Sequence, residues 1–322
     1  MKTIVITGAR GYIGKALAER LASEGYALQL VSRSASPART MPARANCNYR
    51  AADLRDPRSW SELLSDADVV VHLSARTDLR AAEANPNGDE NINVRPLRAL
   101  VEAALASSVA PKIVFASAAT IVGPNPQIPV NDAAHDNPCS AYDRNKLACE
   151  TILREATGRG AVRACSLRLA NVYGYGGASI NANRGILNIM MRRAIDGEAL
   201  TLYGTGGYVR DFIHIDDAIE AFHSAIVTPE VCDGSHYVIA SGRGHTLAEA
   251  YAMITQAAME HLQRKVEIVR VAEPTNLHPI EKRNFIGDSG VFRTRTGWRP
   301  RFELRAGIAD YFARAVQTAM TH

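Results

Sequence analysis

The sequence predicts an α/β fold: a doubly wound parallel sheet with a smaller, discontinuous α/β lobe. Three observations predict it. The chain opens with an apolar run that passes through a glycine-rich turn into a helix. Strand-like and helix-like patterns then alternate through the first half, which is the signature of a parallel sheet covered by helices. From Asn171 onward the text turns loop-rich and glycine-rich, and the alternation breaks.

The opening strand spans residues 3–7 and runs into Gly8, Gly11 and Gly14. Glycines in this setting have separate tasks. Gly8 permits the tight turn, Gly11 lets the backbone approach a pyrophosphate, and Gly14 lets the helix of 14–23 pack close to the strand. The first amides of that helix face a phosphate with a positive dipole end behind them. Arg10, Tyr12 and Ile13 share this turn and join the glycines as candidate cofactor contacts. This is the reading of a Rossmann-type dinucleotide site.

Further strands are predicted at 28–32, 69–73, 112–117, 165–169 and 236–240, with helices at 60–64 and 95–107. Ligands of such sheets bind at the carboxyl ends of strands, where the glycine turn, Ser117 and Asn171 are expected. Residues 34–45 read as a surface loop. Helices at 185–195 and about 247–262 belong to the second lobe. Tyr142 and Lys146 form Tyr-x-x-x-Lys on a helix. Positions i and i+4 share a face, and a neighbouring ammonium favours the phenolate, so the phenol can exchange protons near neutral pH.

Composition narrows the function. The 322 residues are 47% hydrophobic and 22% charged, with a net charge of +4, as in an ordinary soluble enzyme. The basic residues are scattered, so no nucleic-acid surface is expected. No apolar run is long enough to span a bilayer. Cys47, Cys139, Cys149, Cys165 and Cys232 are odd in number and unpaired in spacing, which fits reduced thiols in the cytoplasm. The chain enters a strand at once, so no signal peptide is expected. No His/Cys spacing suggests a metal.

The Gly-x-x-Gly-x-x-Gly turn and Tyr142/Lys146 together resemble the short-chain dehydrogenase/reductase superfamily. Later blocks resemble its extended branch, the NAD-dependent epimerase/dehydratase family that acts on nucleotide sugars. They are Val69 to Ala75, Asn91 to Val94, Leu167 to Gly174, Leu202 to Asp217, Phe285 to Asp288 and Gly297 to Pro300. The resemblance covers essentially the whole chain. It implies that Tyr142 is the acid/base and that Lys146 also holds the nicotinamide ribose. It implies cofactor contacts at Leu73, Ser74 and Ala75, a bracing Asn93, and an adenine contact at Asp53-Leu54. Arg210 would grip the substrate diphosphate, with Asn171 lining the route and Arg283 as a second cation. Tyr203 packs on the nucleobase or fills the lobe. Residues 1–170 plus 212–242 would bind the dinucleotide, and 171–211 plus 243–322 the nucleotide sugar. A homodimer through the helices at 95–107 and 144–156 is implied too.

Two positions depart from the family pattern. Ser32 stands where NAD-dependent members carry an acidic residue, and Arg33 follows it. With the carboxylate gone, Arg33 and Arg10 can meet a 2′-phosphate, which favours NADP. The alternative is that Arg33 stacks on adenine and NAD binds. Ala118 stands where the catalytic hydroxyl is expected. Either Ser117 or Thr120 delivers that hydroxyl, or Tyr142 and Lys146 act without it, or the protein binds without catalysis. Two isolated acids have plain readings: Glu150 as an ion pair on the helix face, and Asp217 as a cap of the following helix. The expected function is an NAD(P)-dependent nucleotide-sugar 4-epimerase or 4-ketoreductase working through a 4-keto sugar. The alternative is a catalytically weak dinucleotide-binding or sensor protein. A dehydratase would want acids beside the active-site hydroxyl, and Ala119-Thr120 supplies none.

Overall fold

The computed structural model describes residues 2–33, 46–107, 110–124, 126–176 and 185–320, so the predicted loop at 34–45 lies outside the described residues. Strand β1 (Thr3–Thr7) feeds helix α1 (Tyr12–Ala22), followed by β2 (Ala27–Ser32), β3 (Cys47–Ala51), α2 (Pro57–Leu64) and β4 (Val69–His72). Helices α3 (Leu79–Ala84), α4 (Pro86–Asn93) and α5 (Arg95–Leu105) lead to β5 (Lys112–Ala118), α6 (Ala141–Gly158) and β6 (Arg163–Leu169). After β7 (Asn171–Tyr173) come α7 (Ile186–Asp196), β8 (Leu200–Tyr203), β9 (Val209–His214), α8 (Ile215–Val227) and β10 (His236–Ile239). The chain closes with β11 (Gly244–Thr246), α9 (Leu247–Leu262), β12 (Ile268–Val271), α10 (Gly290–Thr296) and α11 (Leu304–Met320).

Seven strands form one sheet in the order β3-β2-β1-β4-β5-β6-β10, every pair parallel. The chain order reverses beside β1, so the crevice at the ends of β1 and β4 is the topological switch point where ligands bind. Residues alternate between the two faces of the sheet. Ile4 and Ile6 join the cluster under α1 and α8, whereas Val5 joins the cluster under α2, α5 and α6. Central strands buried on both faces read as continuous apolar runs, as Val69-Val70-Val71 does. Strand β3 is the exception: Cys47-Asn48-Tyr49-Arg50-Ala51 is a half-exposed edge with no clear alternation, which hides it from a pattern search.

A third cluster draws on Tyr173, Leu187, Met191, Phe212, Ile254 and Phe312, all from beyond the end of β6. It lies with a three-stranded sheet, β7-β9-β11, and the β8-β12 pair. Phe285, Phe292 and Trp298 instead pack in the cluster under α1, so part of the C-terminal segment sits on the large sheet. Cys165 and Cys232, unpaired by spacing, come within 3.5 Å as buried free thiols. Among the described residues no helix is long and apolar enough to cross a membrane.

Candidate active site

The glycine turn is built for close approach. Gly8 has φ +66°, and a Cβ there would lie 2.9 Å from Leu73 C and Ser74 N. A Cβ on Gly14 would lie 2.3 Å from the Gly8 carbonyl oxygen. The Gly11 amide donates to that carbonyl at 2.8 Å and closes the turn. The amides of Tyr12, Ile13 and Gly14 then open α1 without intrahelical acceptors. No acidic residue occupies this first turn. Backbone donors, a positive dipole end and the glycine cradle fit a dinucleotide pyrophosphate. Gly8→Ala is therefore expected to cost about 1–3 kcal/mol, since it meets both a left-handed backbone and a backbone wall. Dinucleotide titration checks it: affinity should fall at least tenfold.

The side chain of Tyr12, an expected cofactor contact, turns away from the glycine cradle. Its hydroxyl donates to the Gly174 carbonyl at 2.7 Å, and burial pushes the phenol pKa up. The ring ties α1 to the loop after β7, which leaves only the Tyr12 amide for a phosphate. On the other side of the cradle, Thr7 Oγ1 accepts the amides of Leu73 and Ser74, each at 3.2 Å. With both lone pairs used, its proton goes to His72 Nδ1 at 2.9 Å. Burial pulls the His72 pKa down to about 3, so the ring is neutral. The loop Leu73-Ser74-Ala75 is thereby fixed at the end of β1.

Asn93 acts as a brace. Its Oδ1 accepts the Arg76 amide at 2.8 Å, and its Nδ2 donates to the Arg76 carbonyl at 3.0 Å. The hub is Asp89, fully buried, which accepts Arg76 Nε at 2.8 Å, Asn93 Nδ2 at 2.8 Å and Asn145 Nδ2 at 2.9 Å. Asp89 was legible as a partner only through its i, i+4 spacing from Asn93.

At the adenine side, Ser32 ends β2 half-buried, Arg33 follows it exposed, and Arg10 is half-buried. Asp53 is held by Arg55 at 2.6 Å, which pulls its carboxyl pKa down to about 2. Leu54 is buried, and its carbonyl accepts Trp60 Nε1 at 2.8 Å.

One face of α6 ties to the end of β5 at three points. Ser140 caps the helix. Thr120 Oγ1 donates to Asp143 Oδ1 at 2.5 Å, Lys146 Nζ to the Ala116 carbonyl at 2.6 Å, and Ser117 Oγ to Glu150 Oε1 at 2.5 Å. Lys146 lies 4.6 Å from the Phe115 ring centroid and 5.8 Å from that of Tyr142. Burial pulls its pKa down to about 8. Strand β5 runs through Ala118, so Ser117 is an interior strand residue and not part of the loop. Its hydroxyl donates to Glu150, whereas the candidate catalytic role would need it to face a ligand. Glu150 is itself no surface partner. It is 3% exposed and meets Arg168 Nη2 at 2.6 Å, with Asp136 on the far side of that guanidinium at 2.6 Å. An 18-residue separation gave the sequence no signal for this pair.

The lobe brings three predicted residues together. Asn171 donates from Nδ2 to the Asp211 carbonyl at 3.0 Å and accepts Arg283 Nη2 on Oδ1 at 2.9 Å. Arg210 donates to the carbonyls of Arg283 and Glu281, the latter at 2.6 Å. Arg210 and Arg283 are 3% and 8% exposed, and among the described residues neither forms an ion pair with a carboxylate. Burial pulls the Arg210 pKa down to about 9, with the neighbouring Arg283 adding to it. Asp211, one residue on, accepts the amides of Ser241 and Gly242 and so fixes β9. Tyr203 is 46% exposed at the end of β8. Asp217 does not cap α8, whose cap is His214; its carboxylate accepts the amides of Arg301 and Phe302, each at 3.0 Å.

The fold and the glycine turn define a dinucleotide-binding α/β protein of the extended short-chain dehydrogenase type. A family model confirms the class: residues 4–240 match the NAD dependent epimerase/dehydratase family, and the chain belongs to it. The chain is 25% identical to the dTDP-L-rhamnose 4-epimerase of Burkholderia thailandensis, covering 96% of this chain and 93% of that one. It is 26% identical to the UDP-glucose 4-epimerase of Mycolicibacterium smegmatis, covering 96% of each. The UDP-glucose 4-epimerase of Thermus thermophilus, solved with NAD, superposes with a TM-score of 0.81 at 24% identity over 97% of this chain and 98% of that one.

Proposed function

We propose that this chain is a nucleotide-sugar 4-epimerase that acts at C4 of a nucleoside diphosphate hexose through a 4-keto sugar. One observation carries the reading: Arg210 and Arg283 are buried together, and among the described residues neither is in a salt bridge, at the lobe reached from Asn171. Backbone carbonyls and Asn171 hold the two guanidiniums in place, and their paired positive charge suits a diphosphate. Bound in the glycine cradle, a nicotinamide dinucleotide supplies the hydride acceptor and donor. Tyr142 moves the hydroxyl proton, and Lys146 lowers the phenol pKa and holds the ribose. In this reading 1–170 plus 212–242 serve the cofactor and 171–211 plus 243–322 the sugar, apart from the stretch around 285–298 on the large sheet. A homodimer through α5 and α6 belongs to the same reading.

The second reading is a 4-ketoreductase that consumes NADPH. Ser32 and the exposed Arg33 favour it, because the acid that would repel a 2′-phosphate is missing. Denaturing protein purified without added nucleotide separates the two. The epimerase should release near-stoichiometric NAD. An empty protein that binds NADPH far more tightly than NADH would replace it with the reductase.

A further inference from the structure

Ala118 leaves the site without the hydroxyl expected there, and Ser117 is spent on Glu150. Thr120 remains, on the turn after β5, and its own proton is committed to Asp143 Oδ1 at 2.5 Å. Asp143 is 1% exposed. Its second oxygen accepts Ser140 Oγ at 2.6 Å, and its amide donates back to that same Oγ at 3.0 Å. The carboxylate is therefore locked on both sides, and it locks Thr120 in turn. A hydroxyl that donates to a fixed carboxylate has only lone pairs left for a ligand.

Resting on the proposed function, we propose that Thr120 meets the sugar as a hydrogen-bond acceptor, where a donor is usual. Asp143 is the positioning residue that fixes it so. The site then selects a sugar hydroxyl at this point, and Tyr142 is left as the donor to the keto oxygen. Asp143 lies inside Tyr142-Asp143-Arg144-Asn145-Lys146, next to the acid/base, and is set by the same first turn of α6.

The test is a double-mutant cycle of Thr120→Val and Asp143→Asn, read as kcat/KM for a nucleotide sugar that the wild type turns over. Each single variant should lose about 10- to 100-fold, the range of a charge-assisted hydrogen bond. The double variant should be no slower than the slower single, and Thr120→Ser should recover to within about threefold of wild type, since it keeps the hydroxyl. An Asp143→Asn loss that persists in full in the Thr120→Val background marks a merely structural carboxylate and overturns the proposal, while Tyr142 chemistry stands. A wild type inactive on UDP- and dTDP-hexoses, and indistinguishable from Tyr142→Phe, overturns the functional reading and the proposal with it.

Discussion

Replacing Tyr142 by Phe is expected to lower kcat by about 10³-fold, within the range of a lost general acid/base, and to leave dinucleotide affinity within about twofold. The change removes one hydroxyl and keeps the ring beside Lys146, whose ammonium lies 5.8 Å from its centroid. Steady-state kinetics with a parallel cofactor titration check both halves. Turnover that survives in Tyr142→Phe would move the acid/base elsewhere. Lys146 adds a pH signature. Its pKa is held near 8 by burial, so its charge is present below about pH 8 and lost above it. The cation is what favours the phenolate, so kcat/KM should fall on the alkaline side as pH rises through about 8. A flat profile to pH 10 would mean that the ammonium charge is not needed. A binding or sensor protein has no turnover to lose, so Tyr142→Phe also separates the two classes.

The parts of this site that were legible in the sequence are those built from local spacing. Gly8, Gly11 and Gly14 stand in one turn, and Tyr142 and Lys146 on one helix face, so a window of a few residues contains each group. The central strands were legible because burial on both faces makes them continuously apolar, and β3 was not, because an edge strand is half solvated. What was hidden depends on which way a side chain turns. Ser117 and Thr120 are three residues apart and looked interchangeable, yet one donates to Glu150 and the other to Asp143. Tyr12 sits in the glycine turn but sends its hydroxyl to Gly174, across 162 residues. The partners of Asp217 are equally remote, at Arg301 and Phe302. Long-range pairing of polar groups leaves no periodicity to read.

The largest stability effect is expected at one of these hidden pairs. Arg168 is 1% exposed and bonded to two carboxylates, Glu150 through Nε and Nη2 and Asp136 through both terminal nitrogens. Arg168→Met leaves Glu150 buried with a negative charge, Ser117 as a hydrogen-bond donor and His236 Nδ1 3.9 Å away. Breaking a buried pair from one side costs about 3–5 kcal/mol, because the remaining charge is uncompensated. With the unfolding entropy of a chain of this size, the melting temperature should fall by about 6 °C. Glu150→Gln should cost less, since Arg168 keeps Asp136 and the amide oxygen still accepts. The decisive variant is the double replacement Arg168→Met with Glu150→Met. If the cost of the single change is stranded charge, removing both charges should recover most of the loss, because apolar replacements of a buried pair are close to neutral. A double variant that melts below Arg168→Met would show instead that the pair is needed for its packing volume. The site depends on the answer, because Glu150 holds Ser117 one residue from Ala116, whose carbonyl anchors Lys146. Loss of the charge pair should therefore also weaken dinucleotide binding, and a calorimetric titration of the folded Arg168→Met protein at 20 °C would measure that separately from its melting.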